Sequence, residues 1–446
     1  MTSLLIESAK ILVEEELTVA HIYLEDGVIK SISKLRPTST PDSKINAHGL
    51  IALPGMIDAH VHLRDLELSY KETFETGTRA AAVGGFTTIL DMPNSRPPTV
   101  TASNLAEKMS KAEGRLFVNV GFQGALVTDP KELKGMVEQG AVSFKLYLNK
   151  ALETFNSSNK TDLASVFKAA KECNAIVTVH AEDEDSIRRS QEESIAKGKT
   201  GVKDFLRAHS ANAEVSAVRN ILKVGAGLGL RLHICHITIP AAVRLVRRTP
   251  NASCEATAHH LLVNQTIFRT QGTLAICVPP IRAEEHRREL WSMFARGKVD
   301  ILGSDHAPHT LQEKTNENAW KASSGVPGLE TSLPILFTQV SKGKLSLRRL
   351  VDATATLPAR LFRLKGKGSL TEGFDADIVL VDPKSRTRVD PSKFQSMAKY
   401  SPFKGYTCVG AAAYTIVNGA VVAERNEIVG PPVGRVVKSG AEWASS

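Results

Sequence analysis

The chain has 446 residues, and 42% of them are hydrophobic, so it is longer than one average domain and can bury a large core. Its formal net charge is +9, but basic and acidic residues are interspersed, and no basic tract interleaved with aromatic residues suggests nucleic-acid binding. No apolar stretch approaches the length of a membrane span, no secretory signal begins the chain, and the five cysteines show no paired spacing. We therefore expect a soluble, cytoplasmic protein with no membrane partner.

The two ends of the chain share a β-rich character. Residues 1–48 contain short apolar runs, and Asp26-Gly27 between two such runs predicts a hairpin. Near the C-terminus, Ala376–Asp382 and Tyr414–Val422 are also predicted strands. We expect one small β-sandwich module built from residues 1–48 and 366–446, with residues 49–365 inserted between its halves.

The middle of the chain alternates predicted strands with predicted helices. Eight strand candidates are Leu50–His62, Thr87–Met92, Leu116–Phe122, Val142–Leu148, Ala175–His180, Arg231–His236, Ser253–His259 and Val299–Asp305. Helical segments between them include Glu75–Val83, Ala164–Cys173 and Ala213–Val224. Eight strand–helix repeats predict the α/β class and a (β/α)₈ (TIM) barrel, whose active site lies at the carboxyl ends of the strands.

The first barrel strand ends in Asp58-Ala-His60-Val-His62-Leu-Arg64. Since side chains alternate along a strand, His60, His62 and Arg64 project to one side. Two imidazoles in this arrangement can bind one metal ion, although two histidines around a valine also occur by chance.

Later strand ends supply further candidate ligands. His180 and His236 end the fifth and sixth strands, and Asp305 ends the eighth. A histidine of this kind is more often a hydrogen-bonded core residue, but the combination favours a metal site, with Zn²⁺ first and Mn²⁺, Co²⁺ or Fe²⁺ as alternatives. Asp305 could also act as a general base, or it could cap the next segment.

Lys145 lies on the fourth strand, where burial of a lysine is costly. It could pair with a carboxylate or extend to the rim. Desolvation also favours the neutral amine, which can add CO₂ to become a carbamate that bridges two cations. Cys235 and Glu255 neighbour these ligands; they could bind an extra soft metal with His180, although a buried thiol beside a supporting carboxylate is the commoner arrangement.

These motifs together resemble those of the dihydroorotases, cyclic amidohydrolases of the pyrimidine pathway within the amidohydrolase superfamily. The resemblance covers nearly the whole chain. Its motifs are Asp58-Ala-His60-Val-His62-Leu-Arg64, Asp91-Met-Pro-Asn94, Phe144-Lys145-Leu-Tyr-Leu, Val179-His180-Ala-Glu182, Ile234-Cys-His236, Cys254-Glu255-Ala-Thr-Ala-His-His260-Leu, Ser304-Asp305-His-Ala-Pro-His309 and Gly373-Phe-Asp-Ala-Asp377-Ile-Val.

The resemblance implies a binuclear zinc enzyme that interconverts N-carbamoyl-L-aspartate and L-dihydroorotate. His60, His62 and Asp305 would hold one Zn²⁺, His180 and His236 the other, and N6-carboxylated Lys145 would bridge them. A metal-bridging hydroxide would attack the ring carbonyl, with Asp305 as proton shuttle. The implied substrate-binding residues are Arg64, Asn94, His309, Thr154, Pro327 and Gly328, with Thr154 on a mobile lid at residues 149–159 or on an ordinary surface loop.

The chain departs from the family's pattern at two places. Asp65-Leu66-Glu67 follows Arg64 where Glu-Pro-Gly is common, and Val278 stands where bacterial members have asparagine. By the resemblance, the second departure removes a side-chain contact to the pyrimidine ring or replaces it with a backbone contact. Allantoinase or hydantoinase activity and a metal-free pseudo-enzyme scaffold are the alternatives. The expected partner is a small molecule, and a homo-oligomer or a complex with other pyrimidine-pathway enzymes fits the resemblance.

Overall fold

The computed structural model describes residues 3–37, 40–148, 152 and 160–439. In this part of the chain, strands β1 to β19 span Ser3–Val13, Glu16–Glu25, Val28–Ser33, Ser43–Asn46, Ile51–Pro54, Met56–Val61, Phe86–Asp91, Asn119–Phe122, Gly124–Ala125, Phe144–Tyr147, Ile176–His180, Arg231–Ile234, Ala252–Ala256, Ile301–Leu302, Ile378–Arg388, Thr407–Val417, Ala420–Glu424, Glu427–Ile428 and Val436–Val437.

Helices α1 to α15 span Phe74–Val83, Ala102–Ala112, Pro130–Gln139, Lys160–Glu172, Glu184–Ala196, Val202–Ala208, Ala211–Leu228, Pro240–Arg247, Ala258–Leu262, Phe268–Gln271, Glu284–Ala295, Leu311–Lys314, Leu329–Ser341, Leu347–Val351 and Leu357–Leu361. Short 3₁₀ turns cover Leu66–Leu68, Gln265–Ile267, Gly272–Ala275 and Pro391–Lys393, and a π-helical turn covers Asp352–Thr356. The three helices predicted from sequence correspond to α1, α4 and α7. No helix of the described chain combines the length and apolar composition that a membrane crossing requires.

Eight parallel strands form the predicted barrel. One arc consists of β6, β7 and β8, and the other runs from β10 through β14, with the short β9 pairing onto β10. The arcs meet on one side where the His62 amide donates to the His306 carbonyl at 2.8 Å. On the other side the Val142 amide donates to the Phe122 carbonyl at 3.0 Å. The barrel is therefore closed, and its strand ends converge on one face.

Both ends of the chain build the β-module, as predicted. Its strands follow the order β18-β17-β16-β15-β5-β1-β2-β3, with β4 on β1, so N-terminal and C-terminal strands meet where β15 pairs with β5. Asp26 and Gly27 form the expected turn between β2 and β3, both at positive φ. Apolar side chains from both ends of the chain, among them Ile6, Ile22 and Ile378, form a core that is separate from the barrel core.

The predicted strand from Leu50 to His62 is in fact two strands that belong to different sheets. Strand β5 pairs with β1 and β15 of the module, whereas β6 pairs with β7 of the barrel. Gly55 separates them, and a Cβ there would collide with the side chain of Thr87. Only glycine allows this close approach, so the chain passes from module to barrel at Gly55. The C-terminal segment also returns to the barrel, because β19 pairs with β8.

The segment between β15 and β16, residues 389–406, packs on the barrel loops near the strand ends. The Gln395 and Ser396 amides donate to the Glu330 carboxyl at 2.7 and 3.2 Å. The Tyr400 hydroxyl accepts from the His309 amide at 3.2 Å and donates to the Gly325 carbonyl at 3.2 Å. This part of the module therefore helps to shape the barrel's open face.

Glu330 should make the protein's stability depend on pH. Burial raises the pKa of its carboxyl from 4.5 to about 8. The unfolded chain then loses this proton at lower pH than the folded chain does, so the contribution of Glu330 to the free energy of unfolding falls as pH rises between those values. In melting-temperature measurements from about pH 5 to about pH 9, the wild type should lose stability relative to Glu330→Gln. The exposed Glu427→Gln is the control, and parallel curves for all three proteins would contradict the prediction.

Candidate active site

The six candidate ligands all lie buried at the carboxyl ends of the barrel strands. His60 lies in β6 and His62 follows its end, Lys145 lies in β10, and His180 ends β11. His236 follows β12 and Asp305 follows β14, each at positive φ. Both residues turn away from extended backbone at the barrel mouth.

His60, His62 and Asp305 converge on one point. Asp305 Oδ1 lies 3.3 Å from His60 Nε2 and 3.1 Å from His62 Nε2. One donor atom from each residue lies within 4.8 Å of the other two. Two imidazoles and a carboxylate at this spacing can hold a divalent cation.

His180 and His236 form a second group beside the first. His180 Nδ1 lies 2.9 Å from His236 Nε2, and the ring centroids of His60 and His236 are 5.1 Å apart. The structure therefore brings together the four histidines that the sequence places on three different strands.

Lys145 is buried next to the candidate ligands and makes no ion pair within the described chain. Its side chain is fully buried, its Nζ donates to Cys235 Sγ at 2.9 Å, and it lies 5.0 Å from the centre of the Tyr147 ring. No carboxylate oxygen of the described residues lies within 4.0 Å of Nζ. A structural ion pair therefore does not explain the buried lysine within this part of the chain, and a carbamate would supply the missing negative charge.

The electrostatics of the cluster favour a bound cation. Burial and Lys145 lower the pKa of His60, but Glu255 and Asp305 more than offset them and raise it to about 10. The negative charges of Glu255 and Asp305 therefore stabilise a positive charge at or near His60. Burial lowers the pKa of His62 to about 3 and also lowers the pKa values of His180 and His236. These imidazoles are therefore neutral, and each can offer a nitrogen lone pair to a metal ion. A divalent cation fits this donor set.

Supporting residues orient the ligands. Glu255 contacts His60 Nδ1 and lies 3.2 Å from His233 Nε2. Asp58 accepts from the Ser304 amide at 3.0 Å and so ties β6 to the end of β14. Two further sets of metal-ligating atoms lie close together, one from Cys235, Glu255 and His60 and the other from His259, His260 and Cys277.

Glu182 was not singled out from sequence, although it closes the quoted Val179-His180-Ala-Glu182 motif. Its carboxylate accepts from His180 Nε2 at 2.9 Å and from His209 Nδ1 at 3.0 Å. Burial alone would raise the pKa of Glu182, but His209 and His180 hold it well below its usual range. The contact fixes the His180 ring so that Nδ1 faces His236.

Glu182→Gln should therefore weaken binding of the cation next to His180 by about 10- to 100-fold, because an amide orients the imidazole less strongly. Zinc content measured during titration with a chelator tests this. Glu184→Gln, two residues further on and exposed, should leave the titration unchanged. Equal zinc affinity in both variants would argue against the role of Glu182.

The candidate substrate-binding residues of the described chain contact residues that follow β6 and β14. Arg64 Nη2 lies 3.3 Å from His309 Nε2, and no carboxylate oxygen of the described chain lies within 4.0 Å of the guanidinium. Asn94 Oδ1 accepts from His62 Nδ1 at 2.6 Å. Pro327 is buried, and Gly328 donates its amide to His306 Nδ1 at 3.3 Å. Thr154 and most of residues 149–159 lie outside the described residues.

His309 has neighbours that sequence reasoning missed. Lys71 Nζ lies 3.2 Å from His309 Nδ1 and 2.7 Å from Glu313 Oε1. Burial, Arg64 and Lys71 lower the pKa of His309 to about 2, so the ring is neutral and the positive charges beside it are those of Arg64 and Lys71. No local pattern distinguishes Lys71 from a surface lysine in the sequence.

Residues 51–422 match the Amidohydrolase family. A dihydroorotase from Methanothermobacter thermautotrophicus is 36% identical over 420 residues, 94% of either chain, and an L-hydantoinase from Paenarthrobacter aurescens is 33% identical over 440 residues, 96% of either chain. The solved L-hydantoinase (dihydropyrimidinase) from Arthrobacter aurescens superimposes with a TM-score of 0.94 at 33% identity and covers 98% of this chain and 100% of that one. The chain is therefore a member of the amidohydrolase family, related over nearly its whole length to both dihydroorotases and hydantoinases.

Proposed function

We propose that this amidohydrolase is a dihydroorotase, which interconverts L-dihydroorotate and N-carbamoyl-L-aspartate. The observation that carries the proposal is the Arg64 guanidinium, which lies beside His309 near the candidate metal ligands and has no carboxylate partner in the described chain. Dihydroorotate carries a carboxylate next to the ring nitrogen, and a guanidinium is the side chain that best recognises a carboxylate.

The donor groups suit two divalent cations. His60, His62 and Asp305 would hold one cation, His180 and His236 would hold the other, and carboxylated Lys145 would lie between them. When bound, two cations polarise a carbonyl and supply a hydroxide nucleophile near neutral pH. Zn²⁺ is the first candidate because imidazole and carboxylate ligands predominate.

The protein's own residues would orient the substrate and move the proton. Arg64 would bind the carboxylate beside the neutral His309, whose Nε2 donates to the Ser324 carbonyl at 3.1 Å, and the amide nitrogen of Asn94 can donate a further hydrogen bond. Burial alone would raise the pKa of Asp305, but His60 and His62 hold it well below its usual range, so its carboxylate is ionised at neutral pH. Asp305 would accept the proton of the attacking water and pass it to the leaving ring nitrogen, and the steps reverse for ring closure.

Hydantoinase activity is the second candidate, because an L-hydantoinase superimposes with a TM-score of 0.94. Hydantoin has a cyclic amide but no carboxylate, so its hydrolysis needs the metal ligands and not Arg64. A metal-free scaffold is the third reading. The presence of all six candidate ligands argues against a metal-free scaffold. Metal analysis would support the scaffold if the purified protein held less than one metal ion per chain and stayed inactive with added Zn²⁺.

An activity panel with Zn²⁺-loaded protein tests the proposal. The substrates are dihydroorotate, N-carbamoyl-aspartate, hydantoin and allantoin. We expect kcat/KM for dihydroorotate to exceed that for hydantoin and allantoin by about 10³-fold or more, because a half-buried guanidinium left without a carboxylate partner disfavours the uncharged rings. A preference for hydantoin or allantoin would overturn the proposal.

A further inference from the structure

Arg64 begins a strained turn. Arg64, Asp65 and Leu66 have φ values of 60°, 41° and 50°, so three successive residues, none of them glycine, have positive φ. This conformation is unfavourable for residues with a Cβ and persists only where surrounding contacts enforce it. The turn determines where the Arg64 side chain leaves the backbone, so whatever holds the turn also holds the guanidinium.

The carboxylate of Asp65 holds the turn from inside. It is 5% exposed, and its Oδ1 accepts from the Leu66 amide at 2.6 Å. Its Oδ2 accepts from the Phe74 amide at 2.6 Å, at the start of α1, and from Arg115 Nη2 at 2.9 Å. One side chain thus joins the turn to two other parts of the barrel.

Arg115 comes from the connection between α2 and β8, and it is itself anchored. It donates to the Lys111 carbonyl at 3.1 Å and packs over the Phe74 ring, 5.4 Å from its centre. Its second carboxylate neighbour, Glu75, is 4.0 Å away with a side chain 53% exposed, whereas the side chain of Asp65 is only 6% exposed. The Arg115–Asp65 pair is therefore the shorter and better shielded of the two.

We propose that Asp65, anchored by Arg115, is a positioning residue that sets the affinity for the substrate carboxylate through Arg64. In this proposal Asp65 does not contact the substrate. It keeps the Arg64 backbone at positive φ, so that the guanidinium stays beside His309. This inference rests on the proposed function, since it assigns Asp65 a role in the same carboxylate site. It also gives the Asp65-Leu66-Glu67 sequence a role in place of the expected Glu-Pro-Gly.

Steady-state kinetics of Asp65→Asn with dihydroorotate tests the proposal. We expect KM to rise about tenfold while kcat changes less than about twofold, because Arg64 binds a part of the substrate remote from the reacting bond. Asp65→Glu, which keeps the charge, should recover part of the affinity. In an Arg64→Ala background, Asp65→Asn should have no further effect, because Asp65 acts only through Arg64.

Two further variants separate positioning from folding. Arg115→Met keeps the apolar stem over Phe74 but removes the charged partner of Asp65, so it should also raise KM. It provides the test if Asp65→Asn does not fold. Glu75→Gln removes the exposed neighbour of Arg115 and should change nothing. Three results would each overturn the inference. They are an unchanged KM in both Asp65→Asn and Arg115→Met, a fall in kcat as large as the rise in KM, and a rise in KM from Asp65→Asn in the Arg64→Ala background as large as in the wild type. If Arg64→Ala itself leaves KM for dihydroorotate unchanged, the proposed function fails first.

Discussion

Replacing Arg64 with alanine should lower kcat/KM for dihydroorotate by about 10²- to 10³-fold, because the substrate carboxylate then loses its charged, bidentate partner in a partly buried site. Dihydrouracil is the same ring without the carboxylate, and its kcat/KM should not fall. The ratio of the two values measures carboxylate recognition alone, since both rings present the same amide bond to the metal-binding cluster.

Two variants control this result. Arg64→Lys keeps the charge but not the planar fork of donors, so it should recover only part of the loss. Arg96→Ala removes an exposed arginine two residues beyond Asn94 and should leave both substrates unaffected. If Arg64→Ala reduced the hydrolysis of both rings equally, Arg64 would have a structural role in the site and would not recognise the substrate carboxylate.

If Lys145 carries the proposed carbamate between two cations, its replacement with alanine should lower kcat by about 10³-fold or more and leave one bound metal ion per chain or fewer, because the bridging carboxylate would be lost. Millimolar acetate or propionate should restore part of the activity, since a small carboxylate fits the space that the lysine leaves. Metal analysis and kinetics on the same preparation measure both effects.

Cys235→Ser tests the alternative role of Lys145. Lys145 Nζ lies 2.9 Å from Cys235 Sγ. If Lys145 had only a structural role, this hydrogen bond would be its contribution, and loss of the thiol should have the same effect as loss of the lysine. We expect Cys235→Ser to keep both metals and most activity. A Lys145→Ala protein that retained two metals and wild-type kcat, or that behaved like Cys235→Ser, would contradict carboxylation.

The eightfold repeat and the module could be predicted because both depend on local patterns. Apolar runs that end in polar residues recur at a regular spacing, and parallel strands in a barrel end on one face, so His60, His180 and Asp305 could be expected to meet. The division of the first strand at Gly55 could not be predicted. Ile51–Pro54 and Met56–Val61 are both buried along their whole length, and only pairing with β15, more than three hundred residues later in the chain, places them in different sheets.

The residues that support the site were missed for the same reason. Asp65 is a turn residue by sequence, and its role depends on Arg115, which approaches from another connection. Glu182 gains its role from His209, and Tyr400 reaches His309 from the module. Local sequence shows which groups can do chemistry, whereas the contacts that orient those groups come from segments that are distant in the chain.

The central claim is that this amidohydrolase selects a cyclic amide by its carboxylate. The most direct test is kcat/KM of the Zn²⁺-loaded wild-type protein with dihydroorotate and with dihydrouracil under the same conditions. We predict a preference for dihydroorotate of about 10³-fold or more. Equal rates, or a preference for dihydrouracil, would contradict the claim and favour a hydantoinase.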